Sequence, residues 1–216
     1  MTSTATSRRR TATAVAWLLV VATLAAIAVA MMLRRPPALA VLGQVPPFSL
    51  LDQQGQEFSS SSLAGRVWVA NFLYTSCPGP CPVMVEKLAQ LRERVSPEDL
   101  AIVSFSVDPD IDTVDVTRDY ASDHRIKASQ SWWLLTGPRQ QVLELIQKGF
   151  SSAVMREDAA EGSADSASGP IIHSTGLVLV DGEGQIRGTY SSEDAADLDR
   201  LEEDAKSLPS HPSSKR

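Results

Sequence analysis

Cysteine is scarce in this chain: Cys77 and Cys81 are the only two among 216 residues. Two cysteines exclude the disulfide-rich scaffolds of small secreted domains. Acidic residues are missing from residues 1–35, which hold five of the 20 basic residues. The remainder carries 15 basic against 26 acidic residues, a net charge of −11. A domain this acidic lacks the basic surface that nucleic-acid binding requires, so we expect no nucleic-acid partner.

Charged residues are also missing from residues 11–33, a run bounded by arginines on both sides. Its length is close to the ~20 residues that a membrane-spanning helix needs. A cleaved signal peptide is the alternative, because Ala38-Leu39-Ala40 resembles a cleavage site. The run is longer than the ~7–15 apolar residues usual in such a peptide, which favours an uncleaved anchor.

The N-terminal segment therefore divides into a cytoplasmic tail over 1–10, a transmembrane anchor over 11–33 and a linker over 34–42. A short tail before the span predicts that the following domain lies on the periplasmic, extracytoplasmic side. The membrane is predicted to be a bacterial inner membrane, because no Arg- and Ser-rich mitochondrial presequence precedes the span.

Residues 43–208 alternate between strand and helix patterns, and 209–216 form a tail. Strands are predicted over 48–52, 67–74, 100–107, 132–137, 176–180 and 185–190, the last two as an antiparallel hairpin. Helices are predicted over 82–95, 113–125, 139–150 and 192–208, and the first of these has Val83, Leu88, Leu91 and Val95 on its apolar face. Residues 151–169 are rich in Ser, Ala, Gly and acidic residues, which is typical of a mobile loop or a weakly formed hairpin. This order predicts an α/β domain, a mixed central sheet with a parallel core flanked by helices.

The two cysteines follow the first buried strand of this sheet and precede its first long helix. A spacing of four puts both sulfurs on one face of a helix, and a helix N-terminus favours the thiolate form. Ligand chemistry in such sheets collects at the carboxyl ends of strands, where the pair is predicted to lie. The pair could exchange disulfides, hold a soft metal or staple a loop, and the spacing alone leaves these three open.

The domain resembles the Sco family, also called SenC, in several motifs that occur in the family's order. Thr75 to Pro82 is similar to the family's T-x-C-P-x-x-C-P signature, and Ser106 to Thr113 to its S-V-D-P-x-x-D-T segment. Leu135-Thr136-Gly137 and His173-Ser174 are similar to its L-T-G and H-S blocks. Two departures stand out: Gly79 lies between the cysteines, where the family usually has an acid, and Ile172 precedes the histidine, where Asp is common.

This resemblance implies a thioredoxin-like fold and a copper site, for Cu(I) or Cu(II), made by Cys77, Cys81 and His173. It also implies an assembly factor that delivers copper to the copper-bearing subunit of cytochrome c oxidase, with another copper chaperone or a thiol reductase as further partners. Two thiolates suit Cu(I), and an imidazole completes a three-coordinate site. The plain alternatives are a structural disulfide or a pair of buried thiols for the cysteines, and a loop histidine bonded to backbone for His173.

A membrane-tethered thiol–disulfide oxidoreductase is the second functional hypothesis, with Cys77 and Cys81 as its redox-active pair. The spacing of three residues between the cysteines, and a histidine where oxidoreductases of this fold carry a cis-proline, favour metal binding. The other histidines, His124 and His211, are not expected to bind metal. Asp108 and Asp112 are expected to cap the following helix or to lie behind the site.

Overall fold

The computed structural model describes residues 17–25, 39–150 and 175–210. The chain divides into two units, Met1–Ala38 and Leu39–Arg216. In the first unit residues 17–25 are helical, and the rest of the predicted 11–33 anchor lies outside the described residues. Among the described residues, no helix has the length and apolar character needed to cross a membrane.

The described residues of the second unit, 39–150 and 175–210, contain eight strands and four α-helices. The strands are β1 (Gly43–Gln44), β2 (Ser49–Leu51), β3 (Glu57–Ser59), β4 (Trp68–Leu73), β5 (Ala101–Ser106), β6 (Trp132–Leu135), β7 (Gly176–Val180) and β8 (Gln185–Ser191). The helices are α1 (Pro80–Arg94), α2 (Val114–Asp123), α3 (Arg139–Leu145) and α4 (Ala195–Ser207). A π-helical turn, Ile146–Phe150, continues α3, and short 3-10 turns cover Ser60–Leu63 and Ala128–Gln130.

Six of the strands form one sheet in the order β1-β8-β7-β4-β5-β6, and β2 pairs with β3 in a separate hairpin. Strands β4, β5 and β6 run parallel, whereas β7, β8 and β1 each join the sheet antiparallel to their neighbour. The mixed sheet with a parallel core is thus confirmed. Strand β1 has no counterpart in the predictions, because a two-residue strand is too short to show alternation.

Both faces of the sheet are covered. Strands β4, β5 and β7 are therefore buried along their whole length. Apolar residues of α1, α2 and α4 form one core on one side. Residues of α3, the π-helical turn and the β2–β3 hairpin form a second core. Aromatic rings concentrate in that second core, where Phe72, Phe105 and Phe150 contact one another at centroid distances of 5.1–5.9 Å.

The apolar face predicted for the first helix is partly wrong. Val83 is 57% exposed, whereas Met84 and Val85 are buried. The helix begins at Pro80, before the predicted start, and its buried side follows the spacing Cys81, Met84, Leu88, Leu91. Val83 lies on the opposite side of this stripe and faces solvent.

Candidate functional site

Both cysteines lie where strand β4 gives way to helix α1, at the edge where the parallel strands end. Cys77 belongs to the connecting loop, and its N–H donates to the carbonyl of Tyr74 at 3.2 Å. Pro80 opens the helix, at a position where a missing N–H costs nothing, and Cys81 is in its first turn. Both thiols are free and buried, with residue exposures of 6% and 7%. The predicted placement of the pair at a strand end therefore agrees with the structure.

The two thiols are electrostatically unequal. Burial acts to raise the pKa of Cys77, but hydrogen bonds from the Cys81 thiol, the backbone of Gly79 and Cys81 and the Tyr74 hydroxyl outweigh it, so its pKa is lowered. Burial raises the pKa of Cys81 to about 12, and its bond to Cys77 acts in the same direction. Cys77 is thus the sulfur that ionises first, with Cys81 as its hydrogen-bond donor.

An aromatic and a thioether side chain share the apolar core with the pair: Tyr120 of α2 and Met84 of α1. Burial raises the pKa of Tyr120, and the negative charge of either cysteine would raise it further. The Tyr120 hydroxyl is buried and has no hydrogen-bond partner among the described residues. Met84 Sδ lies 4.0 Å from Asn71 Nδ2, so its visible role is packing against the sheet.

Asp112 lies behind the cysteine loop and contacts it directly. Thr75 donates to the Asp112 carboxylate from its Oγ1 at 2.5 Å and from its backbone N–H at 3.2 Å. Ser106, at the end of β5, donates to the same carboxylate at 2.6 Å. The Asp112 side chain is fully buried, so the group joins the loop after β4 to the end of the neighbouring strand.

The predicted capping role of Asp108 and Asp112 is wrong. The N-cap of α2 is Thr113, whose hydroxyl accepts from the N–H of Val116. Asp112 does not cap because its carboxylate turns inward, towards Thr75 and Ser106. Asp112 lies behind the site, which is the other position predicted for it.

Two of the three predicted ligands come together, and the third lies outside the described residues. His173 and Ile172 fall in the range 151–174, as does the predicted loop over 151–169. Within the described ranges no group of three or more His, Cys, Asp or Glu residues could hold a metal ion. His124 ends α2 with its ring 4.1 Å from that of Tyr120, and His211 lies outside the described residues.

Tyr74, Thr75 and Tyr120 are neighbours of the thiols that the sequence predictions do not include. Thr75 opens the cysteine motif and Tyr74 directly precedes it, so their position next to a candidate nucleophile is a signal in the sequence. Tyr120 is 39 residues beyond Cys81 and has no local signal. Chemically, two adjacent reduced sulfurs can be oxidised together to a disulfide, or can bind a soft ion such as Cu(I) as thiolates.

A family model described as SCO1/SenC matches residues 41–208. The SCO1 protein homolog of Bacillus subtilis (strain 168) is 29% identical over 167 residues, which is 76% of this chain and 82% of the relative. A Stutzerimonas stutzeri protein named "Putative copper-binding protein" is 29% identical over 147 residues, covering 67% of each chain.

Solved structures agree with the sequence comparison. A SCO1/SenC family lipoprotein from Bacillus anthracis str. Ames has a TM-score of 0.64 at 28% identity, with coverage of 77% of this chain and 95% of the other. BsSco, reported with a disulfide switch, has a TM-score of 0.62 at 27% identity, with coverage of 79% and 96%. These neighbours confirm the thioredoxin-like class of fold that the motifs imply. With its cysteine pair inside a match of that extent, the chain belongs to the SCO1/SenC family.

Proposed function

We propose that this protein is a membrane-anchored chaperone that binds copper and delivers it to the copper-bearing subunit of cytochrome c oxidase. The observation that carries the proposal is the pair of adjacent, reduced and buried thiols at the carboxyl edge of the sheet. Copper is the cargo of this site, and Cys77, Cys81 and His173 are its proposed ligands.

Two relatives support this assignment. The Stutzerimonas stutzeri relative is named for copper binding, and BsSco belongs to a family of cytochrome c oxidase assembly proteins. The donor set agrees with the cargo, because two thiolates are soft ligands that select Cu(I) over harder ions. The lowered pKa of Cys77 makes the first thiolate available at lower pH than an ordinary thiol would allow.

Release of the cargo is proposed to depend on the redox state of the pair. When both thiolates are oxidised to a disulfide, two electrons pass to a disulfide partner, which takes up two protons from solvent and becomes two thiols. Both sulfur ligands are then lost to the metal. A disulfide switch reported for the neighbour BsSco is consistent with such a mechanism here.

Anchoring in a bacterial inner membrane, with the domain on the periplasmic side, is part of the proposal. Its support is the uncharged run over 11–33, bounded by Arg8-Arg9-Arg10 and Arg34-Arg35. Tethering confines the chaperone to the membrane that holds its proposed recipient, which raises the effective concentration of one for the other.

A thiol–disulfide oxidoreductase is the second candidate, and one observation favours it. A pair with one thiol of lowered pKa and one of raised pKa resembles an attacking and a resolving cysteine. Such an enzyme would reduce cysteines of a metalloprotein target and need no copper of its own.

Copper loading of the reduced full chain separates the two candidates. We expect one copper per chain by elemental analysis, lost in Cys77→Ala and Cys81→Ala and strongly reduced in His173→Ala. His124→Ala is the matched control and keeps its copper. A chain that takes up no copper but turns over disulfide substrates would establish the reductase instead.

A further inference from the structure

A fully buried carboxylate in this fold contacts the cysteine loop without belonging to the proposed ligand set. Asp112 has no exposed surface, and it takes part in no ion pair with any described residue. Burying a carboxylate without a cation is costly unless hydrogen bonds satisfy it. Among the described residues, two donate hydrogen bonds to the Asp112 carboxylate, Thr75 and Ser106.

The contacts of Asp112 reach all three parallel strands at the edge where the thiols lie. Its carboxylate receives Thr75, which follows β4, and Ser106, which ends β5. Its backbone carbonyl accepts from the Thr136 hydroxyl, after β6, at 2.6 Å. Asp112 therefore fixes the loop that carries Cys77 to a rigid part of the sheet.

Thr75 is the connection between this anchor and the sulfurs. It stands two residues before Cys77, and both its N–H and its hydroxyl donate to Asp112. The next turn of the loop is closed by the bond from the Cys77 N–H to Tyr74. The position of the first thiol relative to the second, which is held by α1, thus depends on the Thr75–Asp112 contact.

We propose that Asp112 is a positioning residue that holds the Cys77 loop through Thr75 and thereby keeps the two sulfurs close together. The inference rests on the proposed function only in taking Cys77 and Cys81 as the working pair. A pair held close has a high effective concentration of one thiol for the other. Loosening the loop lowers that concentration, and the intramolecular disulfide then forms less favourably.

The test uses metal-free full chain in glutathione redox buffers. Oxidised glutathione converts the two protein thiols to a disulfide and leaves as two molecules of reduced glutathione, so the equilibrium reports how close the sulfurs are held. In Asp112→Asn and Thr75→Val we expect the equilibrium constant for disulfide formation to fall about tenfold, the equivalent of one hydrogen bond to a charged group. Thr75→Ser keeps both donors and is expected to restore the wild-type value.

Thr117→Val is the matched control, because Thr117 is a buried threonine whose hydroxyl donates within α2, to Val114, and to no part of the cysteine loop. It is expected to lower stability without moving the thiol equilibrium. If Asp112→Asn does not fold, the comparison of Thr75→Val with Thr75→Ser tests the proposal without it. An unchanged equilibrium in folded Thr75→Val would overturn the proposal, and because no metal is present, that result is distinct from a failure to bind copper.

Discussion

At the scale of single residues, the central feature is the inequality of Cys77 and Cys81. Both are buried, yet the hydrogen bonds around Cys77 favour its thiolate, while burial keeps Cys81 protonated. The protonated Cys81 thiol therefore donates a hydrogen bond to the sulfur of Cys77. This arrangement places one nucleophilic sulfur beside one protonated sulfur, which is compatible with both proposed functions, copper binding and disulfide exchange.

Alkylation of the reduced, metal-free chain near neutral pH is expected to modify Cys77 first. The thiolate is the reactive form, so a lowered pKa makes Cys77 reactive at lower pH than an ordinary thiol. Cys81 gains thiolate only as the pH rises towards its pKa of about 12. Iodoacetamide labelling followed by peptide mass spectrometry measures both rates.

Two substitutions of Cys81 provide the control for this prediction. In Cys81→Ala the donor to Cys77 is removed, so the midpoint of the Cys77 pH–rate profile moves up. In Cys81→Ser a hydroxyl remains as a donor, so the midpoint moves less. Equal labelling rates of the two cysteines in the parent chain would contradict the account.

At the scale of elements, the hairpin β7–β8 is tied closely to the segment before β4. The Gly65 N–H donates to the Gly182 carbonyl at 2.9 Å, and Asp181 Oδ1 accepts from the backbone of Glu183 and Gln185. The antiparallel hairpin with a turn at Asp181–Gly184 is predictable from sequence, because turn residues separate two apolar strands. Its contact with Gly65 is not, because it joins residues 117 positions apart.

Gly182→Ala is expected to lower the free energy of unfolding by about 1–3 kcal/mol, the usual cost of overpacking. A Cβ at this position would lie 2.7 Å from the backbone of Gly65, which cannot move aside as a flexible side chain can. Gly43→Ala is the matched control, since its Cβ would meet only Ile186 Cδ1, at 3.5 Å. Urea unfolding measures both, and equal stabilities of the two variants would contradict this reading.

At the scale of the whole molecule, the order of the helices and of all strands except the short β1 and β3 follows from the sequence pattern. Buried strands appear as nearly continuous apolar runs such as Val67–Tyr74, and the helices between them show periodic apolar positions. The site is only half predictable in this way. Motif position identifies Cys77 and Cys81, but the link from Thr75 to Asp112 spans 37 residues and exists only because β4 and β5 end side by side.

The charge asymmetry of the chain predicts its behaviour in cells. Residues 11–33 carry no charge, whereas residues 36–216 carry a net charge of −11, so the full chain is expected in the membrane fraction. Removal of residues 1–38 is expected to move the domain to the aqueous fraction, and protease added to spheroplasts should digest the domain of the full chain. Recovery of the full chain in the aqueous fraction would contradict the anchor.

The most direct test of the central claim is X-ray absorption at the copper edge of the copper-loaded full chain. The account predicts two sulfur ligands and one imidazole nitrogen in the parent chain. The imidazole scattering should disappear from the copper that His173→Ala retains, whereas Cys81→Ala should hold no copper to measure. A copper ion surrounded only by oxygen and nitrogen, unchanged by either substitution, would contradict a role for this pair in holding copper.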